Sequence, residues 1–233
     1  MLKYVLGLGL LVSSLSYATD SNLDEDIRVQ LRGEWHPVKV DKSRDIKTYA
    51  KREDGKPYRS FKVEQTLNAS LETISRILSD FDSYPRWFWE TTEARLLKKT
   101  SPNEVYVYMV HRAPLGIPFR DVILHTRIEP INSKKEYALV HAIAIADYLP
   151  VKPPLVRMAA EEFTAKFTPI GHQKVRLEIE GYIDPNGNVP VWATNYVQRS
   201  APYAIAVGLQ RMAKLSEFQD ESKIPDFSLV ERR

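Results

Sequence analysis

The feature that most constrains the fold is the alternation of apolar and polar residues in many short segments. In the segments 61–67 and 175–183, nearly every second residue is apolar and the residues between are polar. Because successive side chains of a strand point to opposite faces, each segment predicts a strand with one buried face. The same pattern predicts strands over the following segments: 49–52, 94–99, 105–112, 120–129, 137–145 and 163–170. So many short strands predict an antiparallel sheet.

Three segments have helical periodicity. The first is a short opening helix, Leu23–Leu31, and the second, Leu71–Leu78, follows Ser70 as its N-cap. The third begins near Pro190, where proline suits a first helical turn, and runs toward Leu215. Strands followed by one long helix predict an α+β fold in which a curved antiparallel sheet wraps around the C-terminal helix, with an internal cavity.

The third helix is expected to turn an apolar stripe toward the sheet. Its predicted members are Trp192, Tyr196, Ala201, Ile205, Leu209 and Met212. Pro202 predicts a kink, because proline removes a backbone donor inside a helix.

Residues 1–18 have the features of a secretory signal peptide. Lys3 precedes an apolar run from Tyr4 to Val12, and small residues end at Ala18, after which cleavage is predicted. The run is shorter than the roughly 20 residues that a membrane-spanning helix needs. The chain has no cysteine, which excludes disulfides and cysteine nucleophiles. We therefore expect a protein exported to a bacterial periplasm.

The 233-residue chain is interpreted as four parts. They are the signal peptide 1–18, an N-terminal extension 19–43 with the short helix, one domain over 44–215, and a polar, frayed tail over 216–233. The formal net charge of +3 falls by one with the loss of Lys3, and the charges are interspersed. This distribution argues against a nucleic-acid surface. The single domain is expected to be a monomer.

One hairpin identifies the inner face of the sheet. If the turn between strands 120–129 and 137–145 is centred near Ser133, Leu124 lies opposite Ala142. Apart from Arg120, the even-numbered positions of the two strands carry no charge. The odd-numbered positions include the charged residues Asp121, Arg127 and Glu129. The even positions are therefore predicted to face inward.

Arg120 belongs to this inner face, and Asp121 is expected to point outward or toward the flank of the strand. Inward alanines beside a few polar groups resemble a cavity wall more than a dry core. The predicted wall comprises Arg120, His111, Met109, Val107, Val122, Leu124, Ala142, Ala144 and Gln65. A buried arginine needs water, a ligand or a partner. In the alternative, Arg120 pairs with a carboxylate at the rim and extends into solvent.

Metal and cofactor sites are not predicted. His125 and His141 are expected opposite each other across the hairpin, but they have outward parity, and two histidines alone seldom hold a metal.

Five ordered motifs resemble the StAR-related lipid-transfer (START) domain, a family of the helix-grip (Bet v 1-like) superfamily. The resemblance covers about 44–215. The motifs are SDFDSYPRWFWE (Ser79–Glu90), APLGIP (Ala113–Pro118), Arg120-Asp121, PPLVR ending at Arg157, and GYIDPNGNVPVWATN (Gly181–Asn195).

The resemblance implies a tunnel for one lipid or sterol-like molecule between sheet and helix, into which Arg120 projects. It also implies a gate, formed by the loop 113–118 against the C-terminal helix. The expected gate residues are Leu115, Gly116, Ile117, Pro118, Ile205, Leu209 and Met212. Trp87 and Trp192 match positions that are mostly structural in the family.

The expected function is therefore lipid binding and transport, with transient contact at a membrane surface. An alternative on the same fold is a cyclase or hydrolase that uses His111 and Asp147 as acid and base. The sequence contains no GxSxG or HExxH motif to support that alternative. A third possibility is an interaction module with a vestigial cavity, but the large inward residues that would fill the cavity are missing.

Overall fold

Ten strands form one sheet in the computed structural model, which describes residues 33–114 and 116–231. The strands are β1 His36–Asp41, β2 Ile46–Lys51, β3 Ser60–Leu67, β4 Thr91–Ser101, β5 Glu104–His111, β6 Arg120–Glu129, β7 Ala138–Ala144, β8 Val156–Arg157, β9 Ala160–Gly171 and β10 Lys174–Asp184. Their order is β1-β2-β3-β10-β9-β7-β6-β5-β4, and β8 pairs with β6. The β6–β8 pair is parallel and the other strand pairs are antiparallel. The predicted signal peptide 1–18 and helix Leu23–Leu31 lie outside the described residues.

The alternating sequence pattern gives the sheet its buried face. At the centre, Leu177 on β10 lies between Gln65 on β3 and Phe167 on β9. Leu177 and Phe167 are among the largest fully buried side chains. Burial of one such side chain contributes about 1.5–3 kcal/mol, so the inner face of the sheet supplies most of the core.

The described helices are α1 (Leu71–Ser79), α2 (Val191–Met212) and α3 (Ser216–Gln219), with a 3-10 helix at Phe81–Arg86. Helix α1 begins at Ser70, whose hydroxyl accepts a hydrogen bond from the N–H of Thr73 at 3.1 Å. Helix α2 packs on β2 and β3. The prediction of an antiparallel sheet with a long C-terminal helix is confirmed.

The predicted apolar stripe of α2 is wrong at its first two positions. Trp192 and Tyr196 are 57% and 51% exposed, whereas Leu209 and Met212 are buried. Tyr196 precedes Ile205 by two and a half turns at 3.6 residues per turn, so the two side chains leave opposite sides of the helix. The first turns of α2 therefore present aromatic side chains outward.

A close contact fixes α2 against the segment after the 3-10 helix. A Cβ added to Gly208 would lie 2.5 Å from the carbonyl oxygen of Trp87. Only glycine permits this approach.

The segment after 216, predicted to be a polar and frayed tail, packs into the core. Phe218, Phe227 and Leu229 are buried, and the N–H of Leu229 donates to Ser75 Oγ at 2.9 Å. Three apolar side chains spaced along a polar stretch are enough to dock it. Strand β1, within the segment interpreted as an extension, pairs with β2.

The hairpin of β6 and β7 has a register two residues from the predicted one. Leu124 pairs with Ala144 instead of Ala142, and Thr126 pairs with Ala142. The connection between the strands, residues 130–137, contains an isolated antiparallel bridge between Asn132 and Lys135. A shift of two residues preserves the face of every side chain, so the inward parity survives.

None of the helices within 33–114 and 116–231 has both the length and the apolar character required to cross a bilayer.

Candidate functional site

Two adjoining apolar cavities lie between the sheet and α2. The outer chamber has a volume of about 160 Å³ and is lined by the ends of β5, β6, β9 and β10, by the loop after β5 and by α2. The inner chamber, of about 90 Å³, extends toward β7 and the 3-10 helix. Phe88 and Ile205 line both chambers, so these two side chains separate them.

The structure distributes the predicted site residues over both chambers. The outer chamber contains His111, Ile117, Arg120 and Ile205. The inner chamber contains Val107, Met109, Leu124, Ile205 and Leu209. The predicted residues that line neither chamber are Val122, Ala142, Ala144, Gln65, Gly116, Pro118 and Met212. Leu115 lies outside the described residues.

Arg120 points inward and is only 6% exposed. Its Nε donates to the carbonyl of Pro185 and its Nη2 to that of Asn186, both at 3.2 Å. Its Nη1 donates to the carbonyl of Pro118. Among the described residues no carboxylate forms an ion pair with it, so the alternative of rim pairing is not seen. Arg120 therefore ties the loop 113–118 to the loop between β10 and α2.

Asp121 lies on the opposite face of β6. Its carboxylate accepts two hydrogen bonds from Arg157, at 3.0 Å from Nε and 2.9 Å from Nη2. Both side chains are buried. Arg157 also donates to the carbonyls of Ala146 and Leu149, so the pair anchors the loop after β7 over the outer face.

His111 and Glu161 face each other in the outer chamber. His111 Nε2 and Glu161 Oε2 are 3.8 Å apart, and neither atom has a hydrogen-bond partner in the described structure. Burial lowers the pKa of His111 to about 4 and raises the pKa of Glu161 to about 7. Near neutral pH the imidazole is therefore uncharged, and a large fraction of the carboxyl group is protonated.

Two other pairings considered from the sequence do not form. Asp147, predicted with His111 as an acid–base pair, is exposed and lines neither chamber. The predicted opposition of His125 and His141 is wrong, because the actual register pairs them with Ile143 and Arg127. The described residues contain no group of three or more acidic, His or Cys side chains suited to a metal ion.

Glu161 is the functional candidate that the sequence reasoning missed. The predicted strand began at Phe163, one alternation after it. Extending the alternation back by two residues would have placed Glu161 on the inner face. No comparable signal identifies Arg157 as the partner of Asp121, since the two residues are 36 positions apart.

The sheet, the long helix and the enclosed apolar chambers define a START-like helix-grip domain. A structure of a STAR-related lipid transfer protein from Xanthomonas axonopodis superimposes with a TM-score of 0.69 and 25% identity, covering 78% of this chain and 99% of that one. Human STARD10 gives a TM-score of 0.68 at 18% identity, covering 88% of this chain and 84% of its own. Human StAR-related lipid transfer protein 5 gives 0.68 at 12% identity, covering 86% and 96%. The two human proteins support the fold alone.

Sequence comparison adds a bacterial relative without a stated function. An uncharacterized protein of Pseudomonas aeruginosa is 23% identical over 169 residues, which cover 72% of this chain and 82% of the relative. No protein-family model matches the sequence. The structural comparisons confirm the resemblance to StAR-related lipid-transfer domains and the helix-grip fold predicted from the motifs.

Proposed function

We propose that this protein binds one lipid or sterol-like molecule between the sheet and α2 and carries or presents it as a monomer. The observation that carries the proposal is the pair of adjoining apolar chambers enclosed by the sheet and the helix. Each Å² of ligand surface removed from water there contributes about 25 cal/mol. The Xanthomonas structure, a STAR-related lipid transfer protein, has the same fold over nearly its whole length.

The loop 113–118 is the proposed gate. Ile117 lines the outer chamber beside α2, and Arg120 holds the carbonyl of Pro118. Opening would part the loop from α2, while Arg120 restores the closed position. The guanidinium has five N–H groups, of which three donate to carbonyls, so two are left to meet a ligand.

A reversible clamp tests binding through this gate. The chain has no native cysteine, so two introduced cysteines, one in the loop 113–118 and one in α2, can form a single disulfide. We expect the oxidised protein to take up a fluorescent phospholipid or sterol from vesicles at least tenfold more slowly than the reduced protein. The same variant after reduction is the matched control. Equal uptake in both states would contradict the gate, and no uptake by the reduced or native protein would contradict lipid binding.

We also propose that the protein acts in the periplasm after export. The signal-like sequence of residues 1–18 and the lack of cysteine support this location. Expression of the full chain in a bacterium, followed by mass measurement of the periplasmic fraction, should give a protein that begins at Thr19. Full-length protein confined to the cytoplasm would contradict the proposal.

The cyclase or hydrolase alternative depended on His111 acting with Asp147. Asp147 is exposed and outside both chambers, so it does not share the outer chamber with His111.

A further inference from the structure

Three of the described residues that line the outer chamber have a buried polar side-chain atom without a hydrogen-bond partner: Ser60 Oγ, His111 Nε2 and Glu161 Oε2. The last two face each other. Glu161 Oε2 and His111 Nε2 are buried and unpartnered within the described residues. The Glu161 side chain is 4% exposed, and both residues line the apolar cavity. A buried polar group without a partner destabilises the folded protein, and a bound molecule that hydrogen-bonds to it removes that cost.

The hydrogen-bond roles of the two atoms are complementary. The Thr91 hydroxyl lies 3.4 Å from the carbonyl of Trp89, to which it donates, and 3.2 Å from His111 Nδ1. Its oxygen then accepts the Nδ1 hydrogen, which leaves a lone pair on Nε2. The protonated Glu161 carboxyl is a donor. The chamber therefore presents one donor and one acceptor side by side.

Their spacing suits a single oxygen between them. The 3.8 Å separation of Oε2 and Nε2 is too long for a direct hydrogen bond. It is within the span of two hydrogen bonds of about 2.8 Å that share one atom. An alcohol oxygen accepts one hydrogen bond and donates another, so it completes both groups.

We propose that Glu161 and His111 select an uncharged ligand that ends in a hydroxyl group, an inference that rests on the proposed lipid-binding function. Glu161 donates to the ligand oxygen, and the hydroxyl hydrogen is donated to His111 Nε2. The apolar part of the ligand extends past Phe88 and Ile205 toward the inner chamber.

Other head groups satisfy this pair less well. An ether or ester oxygen accepts from Glu161 but leaves Nε2 unpaired, at the cost of a buried acceptor. An ionised carboxylate or a phosphodiester accepts a hydrogen bond from Glu161 but has no hydrogen to donate to His111 Nε2, so this buried acceptor stays unpaired. An ammonium requires ionised Glu161 and a buried ion pair, whose desolvation offsets much of its attraction.

Matched probes test the selection. Hexadecanol, hexadecyl methyl ether, hexadecanoic acid and hexadecylamine are compared by displacement of Nile red from the native protein at pH 6. We expect hexadecanol to bind about tenfold more tightly than the ether, the effect of satisfying one further buried polar group. The acid and the amine should bind more weakly than hexadecanol.

Two variants test whether Glu161 and His111 cause the preference for the alcohol. Glu161→Leu and His111→Leu should reduce the alcohol-to-ether ratio to about one while Nile red still binds. Glu162→Leu is the control, since it makes the same change one position along β9 at a residue whose side chain is 46% exposed, and it should keep the ratio. In infrared spectra of the native protein, hexadecanol should shift the carboxylic acid C=O band of Glu161, and the ether should shift it less.

The outcomes separate this inference from the proposed function. Binding of Nile red and all four probes without preference for the alcohol would overturn the inference and leave lipid binding intact. Preference for the acid or the amine, or a preference retained in Glu161→Leu and His111→Leu, would also overturn it. Failure of Nile red and every probe to bind would overturn both.

Discussion

At the residue scale, Glu161 and His111 give the stability of the protein an unusual pH dependence. Burial raises the pKa of Glu161 from 4.5 to about 7, so its contribution is full below pH 4.5 and is lost as pH rises to about 7. Burial lowers the pKa of His111 from 6.5 to about 4, so its contribution is full above pH 6.5 and is lost as pH falls to about 4. Between pH 4.5 and 6.5, a rise in pH therefore lowers the free energy of unfolding through Glu161 and raises it through His111.

Glu161→Gln should reveal how much Glu161 contributes to the pH dependence of the free energy of unfolding. The free energy of unfolding of the variant, minus that of the native protein, should increase by about 1.4 kcal/mol for each pH unit between pH 4.5 and 7, because the variant has no carboxyl group to ionise. Urea unfolding at several pH values measures this difference. Glu162→Gln, at the neighbouring and more exposed side chain, should follow the native curve. Parallel curves for Glu161→Gln and the native protein would show that Glu161 is ionised in the fold.

The buried ion pair of Asp121 and Arg157 makes a second prediction. Asp121→Asn leaves the buried guanidinium without its counterion and should lower the free energy of unfolding by about 3–5 kcal/mol. The control is Glu93→Gln, which breaks the exposed ion pair with Arg95 and should cost less than about 1 kcal/mol. Similar losses in chemical denaturation of the two variants would contradict the structural role of the buried pair.

The inner-facing residues of the site were predictable from strand parity. Arg120 and His111 were identified because a charge and an imidazole fell on an otherwise uncharged face. The partners of Arg120 were not, because backbone carbonyls such as those of Pro118 and Pro185 carry no sequence signal. Glu161 was missed only because its strand was predicted to start at Phe163, three residues later than Ala160, where it begins.

At the element scale, Gly208 sets the position of α2. A methyl group there would press on Trp87, so Gly208→Ala should lower the free energy of unfolding by about 1–3 kcal/mol despite the better helix propensity of alanine. Gly171→Ala is the control, because its added Cβ would meet no heavy atom closer than 4.0 Å. Equal thermal stability of the two variants would contradict tight packing at Gly208.

The outward aromatic side chains of α2 make a prediction about membrane contact. Trp192 and Tyr196 are exposed beside the outer chamber, and amphipathic aromatic rings favour the membrane interface. The double variant Trp192→Ala/Tyr196→Ala should bind sedimenting phospholipid vesicles several-fold more weakly. Its thermal stability should fall only by the loss of the ring contact between Tyr196 and Trp89. Ile224→Ala removes an apolar side chain that is 81% exposed elsewhere and should leave vesicle binding intact. Equal losses in both variants would contradict a specific docking role of α2.

The elements themselves show which sequence signals were sufficient. Alternation predicted the strands at the centre of the sheet, because a half-buried strand requires it. The β6–β7 register was displaced by two residues for two reasons. The tight turn is centred between Ser133 and Lys134 rather than on Ser133. One extra residue also lies on the β7 side, between Lys135 and Leu139, compared with the β6 side between Glu129 and Asn132. The face of α2 was misjudged because its apolar residues near the N-terminus do not follow the helical period of Ile205 and Leu209.

At the scale of the whole molecule, a sheet curved around one long helix encloses space that neither element could enclose alone. The polar groups of Arg120, His111 and Glu161 line the outer chamber, whereas the inner chamber beyond Phe88 and Ile205 is lined mainly by apolar side chains. This arrangement suits a ligand with a single polar end and an extended apolar body.

Native mass spectrometry of the mature protein, purified from the compartment in which it accumulates, shows whether a lipid is bound. We expect a mass shift of one bound molecule per chain, and solvent extraction should release a lipid or sterol-like compound with an uncharged hydroxyl group. A protein that is free of ligand, and that stays free after incubation with mixed phospholipid and sterol vesicles, would contradict lipid binding.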